Sequence, residues 1–268
     1  KANPNFAVSV KPDYLAKQAE KAKRQPSFMN EYLRLHLNVW TAQATRWLSL
    51  DKWDALAVDV DLEALRDRPC YAGLDLSSKL DLTSLVLVFP EPDGSMLLVP
   101  RFWIPEDRVK DELAKGRAHY ANWVRDEHLI ATPGAVVDQE FIRAEVNRLA
   151  GMFDLRELAY DRWGATALAT RLVEEDGRTL AEFGQGYKSM SEPAKDFEAR
   201  IVAGKLKHDG NPVLRWCVSN VSVRSDPAGN IKPDKETSTG KIDGVVAAVM
   251  GLARANLAGA SAPLVSFV

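Results

Sequence analysis

Three aspartates stand where packing alone explains a carboxylate poorly: Asp75 in Tyr71-Ala72-Gly73-Leu74-Asp75-Leu76-Ser77, Asp161 after Leu158-Ala159-Tyr160, and Asp243 in Lys241-Ile242-Asp243-Gly244-Val245-Val246-Ala247. Strand alternation puts Asp75 on the side shared with Gly73 and Ser77, while Leu74 and Leu76 face the other way. A carboxylate inside such a strand is costly unless paired or bound to metal, and no basic residue in its own strand neutralises it. Asp161 ends an apolar run, and in open α/β sheets the carboxyl ends of strands are where ligands meet side chains. Its competing role is to cap the helix that follows. Asp243 opens an apolar helix, whose dipole it could simply complement. The neighbouring Gly244 argues for more, because a first-turn glycine costs up to about 1 kcal/mol relative to alanine and suits a place of close approach. Acids from a first strand, a later strand end and a last helix are what two-metal phosphodiester hydrolysis requires. Two hard cations roughly 4 Å apart need several oxygen ligands, and together they activate water and stabilise the leaving oxygen without a nucleophilic side chain.

Other residues are candidates of lower rank. Lys241 lies two residues before Asp243 and is the lysine expected to meet the scissile phosphate, with Lys235 and Lys232 as further nucleic-acid contacts. His208, beside Lys205 and Lys207, is a candidate DNA or phosphate contact, although a loop histidine is more often simply solvated. Asp138 is either a fourth carboxylate or the cap of the next helix, and capping is favoured. Asp81 reads as a turn residue. His36, His119 and His128 have no zinc spacing with Cys70 or Cys217, which excludes zinc. Gly184-Gln185-Gly186-Tyr187-Lys188-Ser189 lacks the spacing of a phosphate-cradling loop, so no ATPase motif is expected in this chain.

The elements that must position these residues follow from periodicity. Residues 13–24 predict a charged helix, and Ser27 an N-cap for a second with Phe28, Tyr32, Leu35 and Val39 at helical spacing. A short third helix over 51–58 carries Trp53 and Leu56 as packing surface, and Pro69 closes the segment. Strands follow over 71–77, 82–89 and 96–103, the last two joined by a turn through Pro90 to Gly94. Then come a helix over 106–127, an extended piece over 135–138, and a helix over 140–150 with Phe141, Ile142, Val146 and Leu149 inward. A strand over 155–160 leads to Asp161, followed by a helix over 165–175, a strand over 180–183 and a helix over 193–203. Pro212 suits the first turn of a further helix, a hairpin pairs 221–224 with 231–235, and a last helix spans 242–257. Three antiparallel strands followed by alternating helices and strands imply a mixed sheet with helices on both faces, an order that suits an RNase H-like fold. The expected division is a helical linker segment, 1–69, and an α/β domain, 70–268.

Composition sets bounds on function. The chain has 268 residues, 46% hydrophobic and 27% charged, and no apolar run long enough to span a bilayer, which predicts a soluble protein. Its two cysteines lie far apart among apolar or aromatic neighbours, as reduced intracellular thiols do. A net charge of -2 excludes nucleic-acid binding through overall positive charge and leaves only local basic patches for it.

The motifs around the three aspartates resemble the nuclease domain of tailed-phage, HK97-like terminase large subunits. The resemblance extends through Lys205 to Leu214 and Gly229 to Glu236, and through Ala2-Asn3-Pro4-Asn5 and Trp47-Leu48, which are similar to the family's segment between ATPase and nuclease. It implies an RNase H-like fold and an endonuclease that cuts concatemeric phage DNA using two Mg²⁺ or Mn²⁺ ions on Asp75, Asp161 and Asp243. It also implies a packaging ATPase domain in the full protein, partners in portal and small terminase, and a place in the bacterial host cytoplasm. A start at Lys1 without Met agrees with a fragment whose motor lies elsewhere. Two alternatives stand beside this reading. A catalytically silent DNA-binding or assembly module would bind DNA without metal or cleavage, and a resolvase-like RNase H relative would cut junctions selectively.

Overall fold

A computed structural model describes residues 6–24, 26–37, 47–76 and 81–261. Helices α1 (Pro12–Arg24), α2 (Pro26–Leu37) and α3 (Leu50–Asp54) precede the antiparallel strands β1 (Pro69–Asp75), β2 (Thr83–Pro90) and β3 (Met96–Pro105). Then follow α4 (Glu106–Ala114), α5 (His119–Arg125), β4 (Ile130–Thr132), α6 (Gln139–Met152), β5 (Asp154–Tyr160) and α7 (Arg162–Glu174). The chain continues through β6 (Leu180–Glu182), α8 (Tyr187–Ala203), β7 (Leu206–His208) and α9 (Pro212–Asn220). A hairpin of β8 (Val223–Ser225) and β9 (Ile231–Pro233) precedes α10 (Asp243–Ser261).

Seven of these strands form one mixed sheet in the order β4-β3-β2-β1-β5-β6, with β7 also on β3. β5 runs parallel to β1, with Gly73 beside Ala159 and Leu74 beside Tyr160. β4 and β7 share the outer edge of β3 in parallel, Ile130 at Trp103 and Leu206 at Met96. Both faces of the sheet are covered, so the central strand reads as an unbroken apolar run rather than an alternation. Val86 and Val88 pack with α8, α9 and α10, whereas Leu85, Leu87 and Phe89 pack with Ile142, Val146 and Leu168 of α6 and α7.

The contact between α10 and β1 sets the geometry of everything that follows. A Cβ on Gly73 would collide with the Ala247 carbonyl oxygen and stand 2.7 Å from the Gly251 nitrogen, so helix and strand meet backbone to backbone. Asp75, two residues beyond Gly73, lies on that same face of β1. Asp243 lies one helical turn before Ala247.

Several expectations need correction. The helix expected over 106–127 is two, interrupted where Gly116 adopts a left-handed conformation with φ 77°. No strand forms over 135–138; the short strand is Ile130–Thr132, whose three residues are too few to carry a period. The same brevity hid β7 inside a basic run. α8 starts at Tyr187 and carries Pro193 within it, although a proline usually marks a helix start. Phe141 is exposed at 44% while Ile142, Val146 and Leu149 face inward. Pro26 already lies in α2, so Ser27 sits in its first turn rather than at the cap, and Pro69 opens β1. Val39, Ser77 and the motif at 2–5 lie outside the described residues.

Trp47 and Trp53 are fully buried, and their rings lie 6.0 and 6.2 Å from that of Phe197 on α8. The Val58 amide donates to the His208 carbonyl at 2.9 Å, which ties this stretch to β7. Residues from Trp47 onward are thus built into the core of the sheet domain. Among the described residues no helix is long and apolar enough to cross a membrane.

Candidate metal centre

Elements that are distant in sequence converge at the carboxyl end of β1. Asp75 is the last residue of that strand, not its middle, and Asp243 is the first of α10. Both are buried, at 1% and 5% exposure, in a sheet whose other interior groups are mostly apolar. Contrary to the expectation that Asp75 faces no cation, the ammonium of Lys235 lies 2.7 Å from Asp75 Oδ2 and 3.2 Å from Asp243 Oδ1. Gln185 Nε2 donates to the other oxygen, Asp75 Oδ1, at 2.9 Å.

The electrostatics follow from this arrangement. Burial and then the neighbouring Asp75 charge push the Asp243 carboxyl up to about 6, against the opposing pull of Lys235. Burial alone would depress the Lys235 ammonium, but the attraction of Asp75 and Asp243 outweighs it and raises its pKa. Cys217, fully buried, has its thiol raised by burial and by the Asp243 charge, which removes it as a nucleophile.

Lys235 owes its place to a fastened loop. Asp234, 4% exposed, accepts from Thr237 Oγ1 at 2.8 Å and from Arg224 Nε at 3.0 Å. Ser222 N donates to Ser238 Oγ at 3.0 Å, and Thr239 N to the Asn220 carbonyl at 3.2 Å. The loop from β9 to α10 is therefore held at both ends.

The other candidates fall as follows. Asp161 is half-buried between β5 and α7, and extending the parallel register by one pair beyond Leu74 and Tyr160 sets it beside Asp75 on the neighbouring strand end. Among the described residues no group of three or more His, Cys, Asp or Glu side chains is assembled as a metal-ligand set, and the acids joined through one ammonium are Asp75 and Asp243. Lys241 is ion-paired with Asp81 and lines a cleft of about 440 Å³ with Leu76, Lys235, Ser238 and Asp243. Lys235, ranked below it on sequence distance, is the lysine that reaches the acids. Asp138 caps α6, accepting from Glu140 N at 2.9 Å. The Lys232 ammonium stands over the Tyr187 ring at 5.6 Å.

His208 is neither solvated nor placed to contact DNA. It is 2% exposed and stacks on Trp53 with ring centroids 4.1 Å apart. Its Nδ1 accepts from Gly210 N at 3.1 Å, so Nε2 is the protonated nitrogen and donates to the Trp53 carbonyl at 2.9 Å. Gly244 does admit a close approach, but by the core: a Cβ there would stand 2.9 Å from the Phe102 ring.

Gln185 and Asp234 escaped the sequence reading. For Gln185 a signal existed, since it lies between two glycines just beyond β6, at a strand's carboxyl end where ligands gather.

The family profile described as "Terminase large subunit, endonuclease domain" matches residues 1–258. The chain is 37% identical over 262 residues to the terminase large subunit of Enterobacteria phage HK97, covering 95% of this chain and 50% of that protein. It is 35% identical over 268 residues to protein YmfN of Escherichia coli strain K12, covering 96% of this chain and 59% of that protein. The crystal structure of the HK97 large terminase superposes with a TM-score of 0.71 at 36% identity, covering 94% of this chain and 52% of that one. The chain thus spans roughly half the length of the curated relatives it matches.

Proposed function

The chain belongs to the terminase large subunit family, in its endonuclease domain with an RNase H-like fold, and from that premise we propose that it hydrolyses phosphodiester bonds of double-stranded DNA with divalent metal ions. The observation that carries the reading is the pair of buried carboxylates, Asp75 and Asp243, sharing one cation between their oxygens at the carboxyl edge of the sheet.

The residues fit Mg²⁺ or Mn²⁺. Two carboxylates held almost dry by the core offer hard anionic oxygens, which are the ligands these ions take. Asp75, Asp243 and, from the neighbouring strand end, Asp161 are the residues that would hold the ions. When bound, such ions would activate water and stabilise the departing oxygen. The chain's own contribution is positional. β1 and α10 fix Asp75 and Asp243 through the contact at Gly73, Gln185 orients Asp75, and Lys235 and Lys241 supply positive charge at the cleft where a phosphate backbone would lie.

The substrate we infer is concatemeric phage DNA during genome packaging, cut in the bacterial host cytoplasm. A packaging ATPase in the full-length protein, portal and small terminase would be the partners. Since Trp47 and Trp53 belong to the core, we place the functional boundary of the nuclease domain before Trp47 rather than at residue 69.

Supercoiled plasmid incubated with Mg²⁺, Mn²⁺ or EDTA tests the reading. Nicking or linearisation of plain duplex with either ion and none in EDTA is the expected result. Binding without cleavage would identify a silent DNA-binding module, and cutting confined to branched junctions a resolvase-like enzyme.

A further inference from the structure

Lys235 occupies the place between two carboxylates that a metal ion would be expected to take. Its ammonium touches Asp75 Oδ2 at 2.7 Å and Asp243 Oδ1 at 3.2 Å, and the Asp75 oxygen left over is taken by Gln185. The three partners differ in freedom. The side chains of Asp75 and Asp243 are 2% and 7% exposed, whereas that of Lys235 is 45% exposed. The loop backbone beneath it is pinned through Asp234, Ser238 and Thr239, so the four-carbon stem is the part able to move. Among the described residues one ammonium stands against these two carboxylates, which leaves the group negative, and a dication in the same place would neutralise it. The two cations repel each other and cannot share that place at low cost.

We propose that Lys235 is an internal cation that holds Asp75 and Asp243 together when no divalent ion is bound, and that a divalent ion enters by displacing it into the adjoining cleft. This rests on the nuclease reading and adds to it a built-in competitor for the metal. Lys235 keeps a buried, repelling pair of acids folded without metal and lowers the affinity for the first ion.

Calorimetric titration of Mn²⁺ into the chain and into Lys235→Met measures that competition. Loss of the competing charge is expected to tighten Mn²⁺ binding about tenfold, while the variant melts lower than the parent in EDTA. Lys235→Cys alkylated with bromoethylamine restores an ammonium at the same reach and should return the affinity to the parental value. The two native thiols are buried and out of reach of the reagent. A measurement on the parent covers the case in which the variants do not fold: reductive methylation mapped by peptide mass should find Lys235 protected in EDTA relative to Lys232 and released by Mg²⁺. Equal Mn²⁺ affinities in parent and variant, or Lys235 methylation indifferent to Mg²⁺ in a chain that binds the ion, overturn the displacement and leave the nuclease reading standing. Absence of Mn²⁺ binding by both proteins overturns the nuclease reading with it.

Discussion

Gly73 on β1 and Gly251 on α10 meet so closely that a Cβ on Gly251 would stand 2.9 Å from the Gly73 nitrogen. This contact fixes the height of α10 over the sheet and thereby the separation of Asp243 from Asp75. Gly73→Ala cannot be relieved by rotating a side chain, because what it strikes is backbone. It should destabilise the fold by about 3 kcal/mol, the upper range for overpacking, and should also cut nuclease activity in the fraction that remains folded. Urea melts and plasmid cleavage at matched folded concentration check both. A variant within about 0.5 kcal/mol of the parent would mean the helix can lift freely and does not set the site.

Asp243→Asn separates a structural acid from a functional one. Among the described residues the parent sets two buried carboxylates against the Lys235 ammonium, so neutralising Asp243 leaves Lys235 paired with Asp75 and removes the repulsion between the acids. In EDTA the variant should be as stable as the parent or more so by about 1 kcal/mol, since the repulsion between two close carboxylates is relieved while Lys235 keeps Asp75 as its partner. Metal-induced stabilisation and cleavage should both be lost, because an amide is a poor ligand for a hard dication. Retained cleavage with a lowered melt would make Asp243 a helix-end residue only.

These two acids were legible in the sequence because each is a charge set into an apolar run. Lys235 was legible only as a nucleic-acid contact, and Gln185 not as a site residue, because their reason for being there is Asp75, 160 and 110 residues away in the chain. Periodicity describes one face of one element and says nothing of which loop lies over which strand end. The mixed sheet was legible from the strand order, but β4 and β7 were not. Each is three residues long and exists by adding to the edge of β3, so no local pattern marks it. His208 illustrates the converse: a basic run suggested a solvated loop, whereas Trp53, 155 residues earlier, buries it.

His208 should make stability depend on pH. Burial holds its pKa below the usual histidine range, and the Trp53 carbonyl and the Asp54 charge offset this only in part. The fold therefore prefers the neutral ring. That contribution is fully present above the unfolded histidine pKa of about 6.5 and is lost as pH falls through the depressed folded value. His208→Phe, which keeps the stacking on Trp53 and forfeits two hydrogen bonds, should be less stable than the parent at pH 8 by roughly 1 to 3 kcal/mol. The gap should narrow on acidification below about pH 6.5. Denaturant titrations at pH 8 and pH 5 with parent and variant side by side decide it; a constant gap would show that His208 does not change protonation on unfolding.

Asp161 stands between β5 and α7, and asparagine is the substitution that divides its two readings. If Asp161 serves chiefly the start of α7, Asn replaces it without loss, because asparagine caps helices about as well as aspartate does. If it completes the metal centre from the strand end beside Asp75, the missing negative charge removes a ligand while the backbone stays where the β1 and β5 register puts it. The expected result is a melt in EDTA within about 0.5 kcal/mol of the parent. Mn²⁺ binding should weaken and plasmid cleavage fall at least about 100-fold, the scale on which loss of groups that stabilise a transition state acts. Asp161→Ala adds the contrasting arm, since it should lose both the cleavage and, if the residue caps α7, about 1 kcal/mol of stability. Parental cleavage by Asp161→Asn would remove this residue from the metal centre and leave Asp75 and Asp243 to hold any ion with only one another and the cleft side chains.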